Sequence, residues 1–275
     1  MKTKLILSIC ILIYGFSLFA QVNASQQEKK LIIQTALDYG ETYYTGEVKR
    51  LEDALAPDLN KAIPIYLKES KQTALVYTTF SQLVEETRLK SKSPEKVQEK
   101  FNIQVLNVSG DLANVKLLSN NFRDYLQMVK LNNHWKIINA LWTVGIKSKE
   151  RIASFNLNEA KEGIIKGATD YAKGVLFSDP NYLKRAISLE FNKVTCKKLK
   201  GSNRIELRRQ RTSLLIANSF VEFGKRDTTK SNYQINVLDV MDGLAVVEIV
   251  FPFRTEYIQF FKNNDKWVAF NCLTE

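Results

Sequence analysis

Histidine and cysteine are scarce in this sequence, with one histidine and three cysteines among 275 residues. The single histidine, His134, follows the predicted turn Asn132-Asn133, where an exposed side chain is expected. Catalysis by a serine or cysteine nucleophile with a histidine base therefore has no support, and neither does a Cys/His metal site. The 11 glycines form no phosphate-binding loop. We expect no metal and no cofactor.

Long apolar runs are also absent, except at the N-terminus. Lys2 and Lys4 introduce an uncharged apolar run from Leu5 to Ala20, and Val22-Asn23-Ala24 offers small side chains for cleavage. The run is shorter than the roughly 20 residues that span a bilayer. We therefore predict a signal peptide over residues 1–24, with cleavage after Ala20 as an alternative. The protein is expected to be exported, periplasmic or secreted, without a transmembrane segment in its mature chain.

Two cysteines, Cys196 and Cys272, lie outside the predicted signal peptide. In an exported protein they either form a disulfide or serve as two small buried residues, since a chain of this size does not depend on one bridge. The sequence leaves both interpretations open.

An internal repeat determines the domain organisation. When the chain is aligned with itself at an offset of 132 residues, fourteen of the forty positions from 102 to 141 are identical to their partners. Asn60-Lys61 also aligns with Asn192-Lys193. We therefore predict a tandem duplication, with a first domain over residues 25–146, a linker over 147–157 and a second domain over 158–275.

Each half begins with helices and ends with strands. Ile32, Ala36 and Tyr39 form one apolar stripe at helical spacing, and a short second helix is expected to include Leu51, Ala54 and Leu55. Two predicted hairpins end each half, which gives an α+β class with the helices on one face of an antiparallel sheet. The strands are apolar on both faces. The second face is therefore expected to pack against the sister domain or a second chain, as an intramolecular pseudo-dimer or a dimer.

This order of elements resembles the NTF2-like (SnoaL-like) cone fold, in which a curved sheet and helices enclose a cavity. Within that superfamily the chain is most similar to the "putative lumazine-binding" group of exported bacterial proteins. The matching segments are Asp38-Tyr39, Val105 to Val108, Asp124-Tyr125 and Trp135-Lys136-Ile137, with Asp170-Tyr171, Glu256-Tyr257 and Trp267-Val268 in the second half. The resemblance implies the fold and a cavity. It does not imply one activity, because the superfamily includes enzymes, carriers and silent members.

Enzymes that share the cone fold place an Asp, His or Tyr in an apolar pocket, and the resemblance therefore makes Asp38, Tyr39, Asp124 and Tyr125 candidate catalytic residues. The structural interpretation is favoured for all four. Tyr39 lies on the apolar stripe, and an acid at the start of a strand often binds the backbone or a neighbouring lysine. Both halves also keep most of these groups, whereas catalytic residues usually diverge after duplication.

Amide side chains stand in otherwise apolar strands at corresponding positions of the two halves. An amide there either binds a ligand, faces water or bonds across a domain contact. The candidate ligand-binding residues are these four amides, Gln127, Asn139, Gln259 and Asn271, together with Tyr43 of the first helix.

A basic cluster in the second half is the remaining feature. It includes Lys197, Lys198, Arg208, Arg209 and Arg211, together with Lys193. A solvated hairpin face is the simpler interpretation, and a contact for an anionic envelope component or an acidic protein is the alternative. Nucleic acid is not expected, because no aromatic residues interleave the cluster for base stacking.

The sequence therefore favours an exported, non-catalytic protein with two cavity-forming domains, which binds a small apolar or amphipathic molecule or a protein partner. The alternatives are an isomerase- or dehydratase-type enzyme with an Asp/Tyr pair, and a structural or interaction module of the cell envelope.

Overall fold

The computed structural model describes residues 25–91, 101–144, 156–202, 204–222 and 232–275. The predicted signal peptide and most of the predicted linker lie outside these ranges. Among the described residues, no helix combines the length and apolar character needed to cross a membrane.

The described part of the first half contains three helices and six strands. Its helices are α1 (Gln26–Thr45), α2 (Val48–Ala54) and α3 (Phe80–Lys90). Its strands are β1 (Leu55–Leu67), β2 (Gln72–Thr78), β3 (Asn102–Ser109), β4 (Leu112–Leu118), β5 (Phe122–Leu131) and β6 (His134–Val144). The strands form one sheet in the order β2-β1-β6-β5-β4-β3.

The second half repeats this arrangement element by element. Its helices are α4 (Leu157–Phe177), α5 (Pro180–Ala186) and α6 (Thr212–Glu222). Its strands are β7 (Ile187–Lys198), β8 (Ile205–Arg211), β9 (Gln234–Met241), β10 (Leu244–Phe251), β11 (Arg254–Asn263) and β12 (Lys266–Thr274). The sheet order β8-β7-β12-β11-β10-β9 matches that of the first half, and the α+β fold with two tandem domains is confirmed.

Local sequence signals explain the ends of α1. The Ser25 side chain accepts a hydrogen bond from the Glu28 backbone N–H at 3.1 Å and caps the helix N-terminus. Gly46 ends the helix in the left-handed conformation, with φ 71°. Ile32, Ala36 and Tyr39 are buried, so the predicted apolar stripe is confirmed.

Two details differ from the prediction. Leu55 begins strand β1 and does not extend α2. Pro57 is tolerated in β1 because it lies in an irregular stretch between the pairings of Leu55 and Asn60 with β6. That pairing is parallel, so each sheet is mixed and not purely antiparallel.

The hairpin turns follow the sequence. Asn132 and Asn133 have φ of 48° and 65°, which places both in the left-handed region that a tight hairpin turn requires. The predicted turn between β5 and β6 is therefore confirmed.

Each sheet uses both of its faces. One face packs on the helices of its own half and forms a core with them. The other face packs against the sheet of the other half, and apolar side chains of both halves form two shared clusters there. These clusters include Tyr125, Leu141, Phe261, Phe270, Val129, Ile138, Tyr257 and Leu273. The chain is thus a pseudo-dimer of two sheets packed face to face.

Candidate ligand-binding site

A cavity of about 730 Å³ opens in the first half, between the helices and the sheet. We call it the first-half cavity. Its volume is within the range of small-molecule sites. Most of its wall is apolar or aromatic, and the residues that form this part include Tyr39, Tyr43, Leu51, Leu83, Phe122 and Trp142. Glu86 and Lys90 of α3 add charged groups.

Two of the wall residues belong to a buried polar cluster. Lys61 of β1 donates to the Tyr39 hydroxyl at 2.5 Å and to Asp124 Oδ1 at 3.1 Å. The Tyr39 hydroxyl donates to the same Asp124 oxygen, also at 3.1 Å. Lys61 Nζ lies 4.6 Å from the centroid of the Trp142 ring, a cation–π contact. Asp124 has no exposed surface and does not line the cavity, whereas Tyr39 and Lys61, which contact it, do.

Burial dominates the electrostatics of this cluster. It raises the pKa of the Asp124 carboxyl, although the opposing charge of Lys61 lowers it in part. Burial also lowers the pKa of Lys61, although the negative charge of Asp124 raises it in part. Burial and the negative charge of Asp124 together raise the pKa of the Tyr39 hydroxyl far above its ordinary value. Tyr39 therefore stays neutral, as a hydrogen-bonding wall residue.

Two polar atoms of the site have no hydrogen-bond partner within the described part of the chain. They are Asp124 Oδ2 and the Trp142 indole Nε1, and both are buried. A buried polar group without a partner costs about 1–3 kcal/mol, so the first-half cluster is incomplete.

The second half contains the same cluster in a completed form. Lys193 and Tyr171 contact Glu256, the tyrosine hydroxyl donating at 2.6 Å. Arg254, which stands at the position of Phe122 in the first half, also pairs with Glu256. The Cys272 thiol lies 3.3 Å from Glu256 Oε2, the oxygen to which Tyr171 donates, whereas Lys193 and Arg254 both contact Oε1. Burial would raise the pKa of Glu256, but Lys193 and Arg254 outweigh it and hold that pKa at about 2.

The other catalytic candidates lie away from the cavity wall. Asp38 binds Arg50 at 2.6 Å near the surface. The Tyr125 hydroxyl donates to Asp239 of the second half at 2.5 Å, which makes Tyr125 an interface residue. Tyr39 is the one member of the predicted set that lines the first-half cavity.

Among the predicted ligand-binding residues, Tyr43 lines the cavity and the four amides lie in the contact between the halves. Gln127 donates to the backbone oxygen of Tyr257 at 2.9 Å, and Gln259 donates to that of Tyr125 at 2.7 Å. Asn139 and Asn271 each donate to the glutamine of their own half at 2.8 Å. These four amides therefore form hydrogen bonds in the contact between the two halves, which is the domain-contact interpretation.

The basic cluster is divided by the structure. Lys197, Lys198 and Arg211 are exposed on the β7–β8 hairpin, and Arg208 pairs there with Glu206. Arg209 binds Asp58 of the first half at 2.8 Å and so bridges the halves. Lys193, counted with this cluster from the sequence, is buried beside Glu256, because its strand position faces the core.

Sequence analysis missed Lys61, Arg254 and Trp142 as site residues. One signal for Lys61 was available, since a lysine stands at the same position of both repeats in a strand with apolar neighbours. Cys196 and Cys272 are free and buried in different clusters, where they act as small core residues.

Comparison with known proteins agrees with the geometry. Residues 27–143 match the model of the family described as "Putative lumazine-binding". The first half is therefore similar to the domains that this description names. The second half repeats the same order of helices and strands.

Two solved structures are similar to part of this chain. An NTF2-like protein of unknown function from Silicibacter pomeroyi is 12% identical and covers 43% of this chain and 96% of its own, with a TM-score of 0.36. Another from Methylobacillus flagellatus is 16% identical and covers 46% and 98%, with a TM-score of 0.35. No curated protein matches the sequence.

Proposed function

We propose that this chain is an exported, non-catalytic binding protein whose first half holds a small, largely apolar molecule in the first-half cavity. The observation that carries the proposal is the cavity of about 730 Å³ with aromatic and aliphatic walls beside an incomplete buried polar cluster. Such a combination of apolar wall and few polar groups is typical of small-molecule sites.

The pairing of the acid favours binding over catalysis. The Asp124 carboxylate is paired with Lys61 and accepts a hydrogen bond from Tyr39, and both contacts make it a weaker base. The Tyr39 hydroxyl already donates to Asp124 and accepts from Lys61. The alternative, an enzyme that transfers a proton through Tyr39, is favoured only by the contact of Tyr39 and Lys61 with the cavity.

The binding proposal is tested with N-phenyl-1-naphthylamine, a neutral probe that fluoresces in apolar cavities. We expect saturable binding to the wild type. Thr87→Phe should abolish it, because Thr87 is buried on the cavity wall and the larger side chain fills the space. Ser219→Phe is the matched control, because Ser219 is the equally buried counterpart of Thr87 in the second half. A wild type that does not bind the probe contradicts the proposal.

Export is supported by the residues before Ser25, which have the basic, apolar and small-residue order of a signal peptide. Expression of the full chain in a bacterial host and N-terminal sequencing of the product tests it. We expect Ser25 as the first residue of protein recovered from the periplasm or medium. Recovery of the uncleaved chain from the cytoplasm alone contradicts export.

The exposed lysines and arginines of the β7–β8 hairpin support a further part of the proposal, a contact with an anionic component of the cell envelope.

A further inference from the structure

The two halves contain the same acid–lysine–tyrosine cluster, but only one of them has a second cation. In the second half, Glu256 is paired with both Lys193 and Arg254. In the first half, Asp124 is paired with Lys61 alone, and its second oxygen has no partner within the described residues. Two of the residues that contact Glu256 differ in the first half. Arg254, which contacts Glu256 Oε1, stands where the first half has Phe122, and Cys272, whose thiol lies 3.3 Å from Oε2, stands where it has Ala140.

The Phe122 position connects the cavity to the acid. Phe122 lines the first-half cavity and is 9% exposed. It lies two residues before Asp124 on β5, and residues two apart on a strand share one face of the sheet. Arg254 has the same relation to Glu256 on β11, and its side chain, 31% exposed, reaches the fully buried acid. Arg254 therefore shows, within this chain, that a cationic nitrogen group can reach the acid from the strand position of Phe122.

Aromatic side chains lie next to Arg254. Its guanidinium carbon lies 4.8 Å from the ring centroid of Phe253 and 5.9 Å from that of Phe251, so aromatic faces flank the cation. The first-half cavity has an aromatic wall of its own, since Tyr43 and Phe122 meet edge to face at 5.6 Å and Trp142 also lines the space.

We infer that the ligand of the first-half cavity carries a cationic N–H donor, of the amidinium, guanidinium or amine class, which takes the place that Arg254 occupies in the second half and bonds to Asp124. The inference rests on the proposed function and names the chemical class of its ligand. A cation there gives the first-half cluster the same charges as the second, one acid between two cations. Binding moves the Phe122 ring aside to uncover the acid.

Three molecules of nearly identical shape test the inference on the wild-type protein: benzamidine, which is cationic, benzamide, which is neutral, and benzoate, which is anionic. Titrations followed by ligand-observed NMR give their dissociation constants. We expect benzamidine to bind at least about tenfold more tightly than benzamide, with benzoate the weakest, because a hydrogen bond to a charged group outweighs a neutral one.

Variants locate the effect. Phe122→Arg supplies the second cation internally and should remove the preference for benzamidine over benzamide. Ser81→Arg is the matched control, since it adds the same charge at an exposed position of α3 outside the cavity wall, and it should keep the preference. Asp124→Asn, which removes the acid with little change of shape, should also remove it. Melting temperatures establish that each variant is folded.

The outcomes separate the two proposals. If benzamide or benzoate binds as tightly as benzamidine, the cationic class is wrong while binding in the cavity stands. If folded Phe122→Arg or folded Asp124→Asn keeps the preference, the cation does not bond to Asp124 and the inference is overturned. If benzamidine fails to bind and N-phenyl-1-naphthylamine binds, only the ligand class is overturned. If neither binds, both proposals fail.

Discussion

The side-chain amide of Asn60 in the first half donates to that of Asn271 in the second at 2.7 Å. The bond lies in the contact between the two sheets, and both residues are buried. Asn192, the counterpart of Asn60, donates to Asn139 at 3.1 Å, so the network crosses the contact in both directions. Buried amides that bond across the contact favour a single arrangement of the two sheets, because a shift breaks these bonds.

Removal of one amide is expected to destabilise the protein. Asn271→Ala leaves the Asn60 donor and the Gln259 acceptor without a partner in the sheet contact. The expected loss is about 1–3 kcal/mol in the free energy of unfolding, measured by urea denaturation. Gln34→Ala, which removes a bond to Asp38 at the exposed surface, is the control and should cost less than about 0.5 kcal/mol. Equal losses would contradict a special role for the network.

Glu256 predicts a pH dependence with a definite sign. Its pKa is about 2 in the folded protein against an ordinary value of 4.5. A carboxyl with a depressed folded pKa stabilises the protein above its unfolded pKa, and this contribution disappears as the pH falls from about 4.5 to about 2. Glu256→Gln should therefore be less stable than the wild type by about 2–4 kcal/mol at pH 7.

The difference between Glu256→Gln and the wild type should shrink as the pH falls through that window. Urea denaturation at a series of pH values measures this difference in the free energy of unfolding. Only the protein that retains the Glu256 carboxyl shows the pH dependence that its titration causes. A difference that stays constant from pH 7 to pH 3 would show that the substitution acts through packing. It would not support the ion cluster with Lys193 and Arg254.

Gly167 of α4 should not tolerate even a methyl group. A Cβ atom there would lie 2.5 Å from the backbone oxygen of Trp267 in β12, and backbone cannot move aside cheaply. Glycine to alanine inside a helix otherwise stabilises by roughly 0.5–1 kcal/mol, so propensity and packing predict opposite signs. We expect packing to dominate and Gly167→Ala to lower stability by about 1–3 kcal/mol. The exposed neighbour Lys166→Ala should have little effect in the same thermal unfolding measurement.

Residue patterns predicted the parts of the fold that depend on local order. The stripe of Ile32, Ala36 and Tyr39 specified α1, and Asn132-Asn133 specified the turn of a hairpin. Strand β2 was not predicted, because it is an edge strand without a buried residue and its alternation is weak. The parallel pairing of β1 with β6 joins residues far apart in sequence, and no local pattern encodes it.

The candidate site could be predicted only in part. Tyr39 and Asp124 were found as chemical groups, but their link through Lys61 was not, because a lysine in a strand normally indicates a solvated face. Arg254 likewise gives no sign in the sequence that it completes the Glu256 cluster. The repeat alignment places Phe122 opposite Arg254, but only the three-dimensional packing shows that Arg254 reaches Glu256.

The exposed hairpin lysines should control binding to anionic surfaces. Lys197 and Lys198 lie adjacent on β7 and are both exposed. Each lysine near an anionic lipid surface contributes on the order of 1 kcal/mol, so the Lys197→Glu/Lys198→Glu variant should bind phosphatidylglycerol vesicles at least tenfold more weakly. Cosedimentation with these vesicles, and with neutral phosphatidylcholine vesicles, measures the effect, and added salt should weaken wild-type binding.

The control Lys161→Glu/Lys166→Glu makes the same change of net charge on the exposed face of α4 and should retain binding. If the control loses as much as the hairpin variant, the attraction belongs to the net charge of the protein and not to the hairpin.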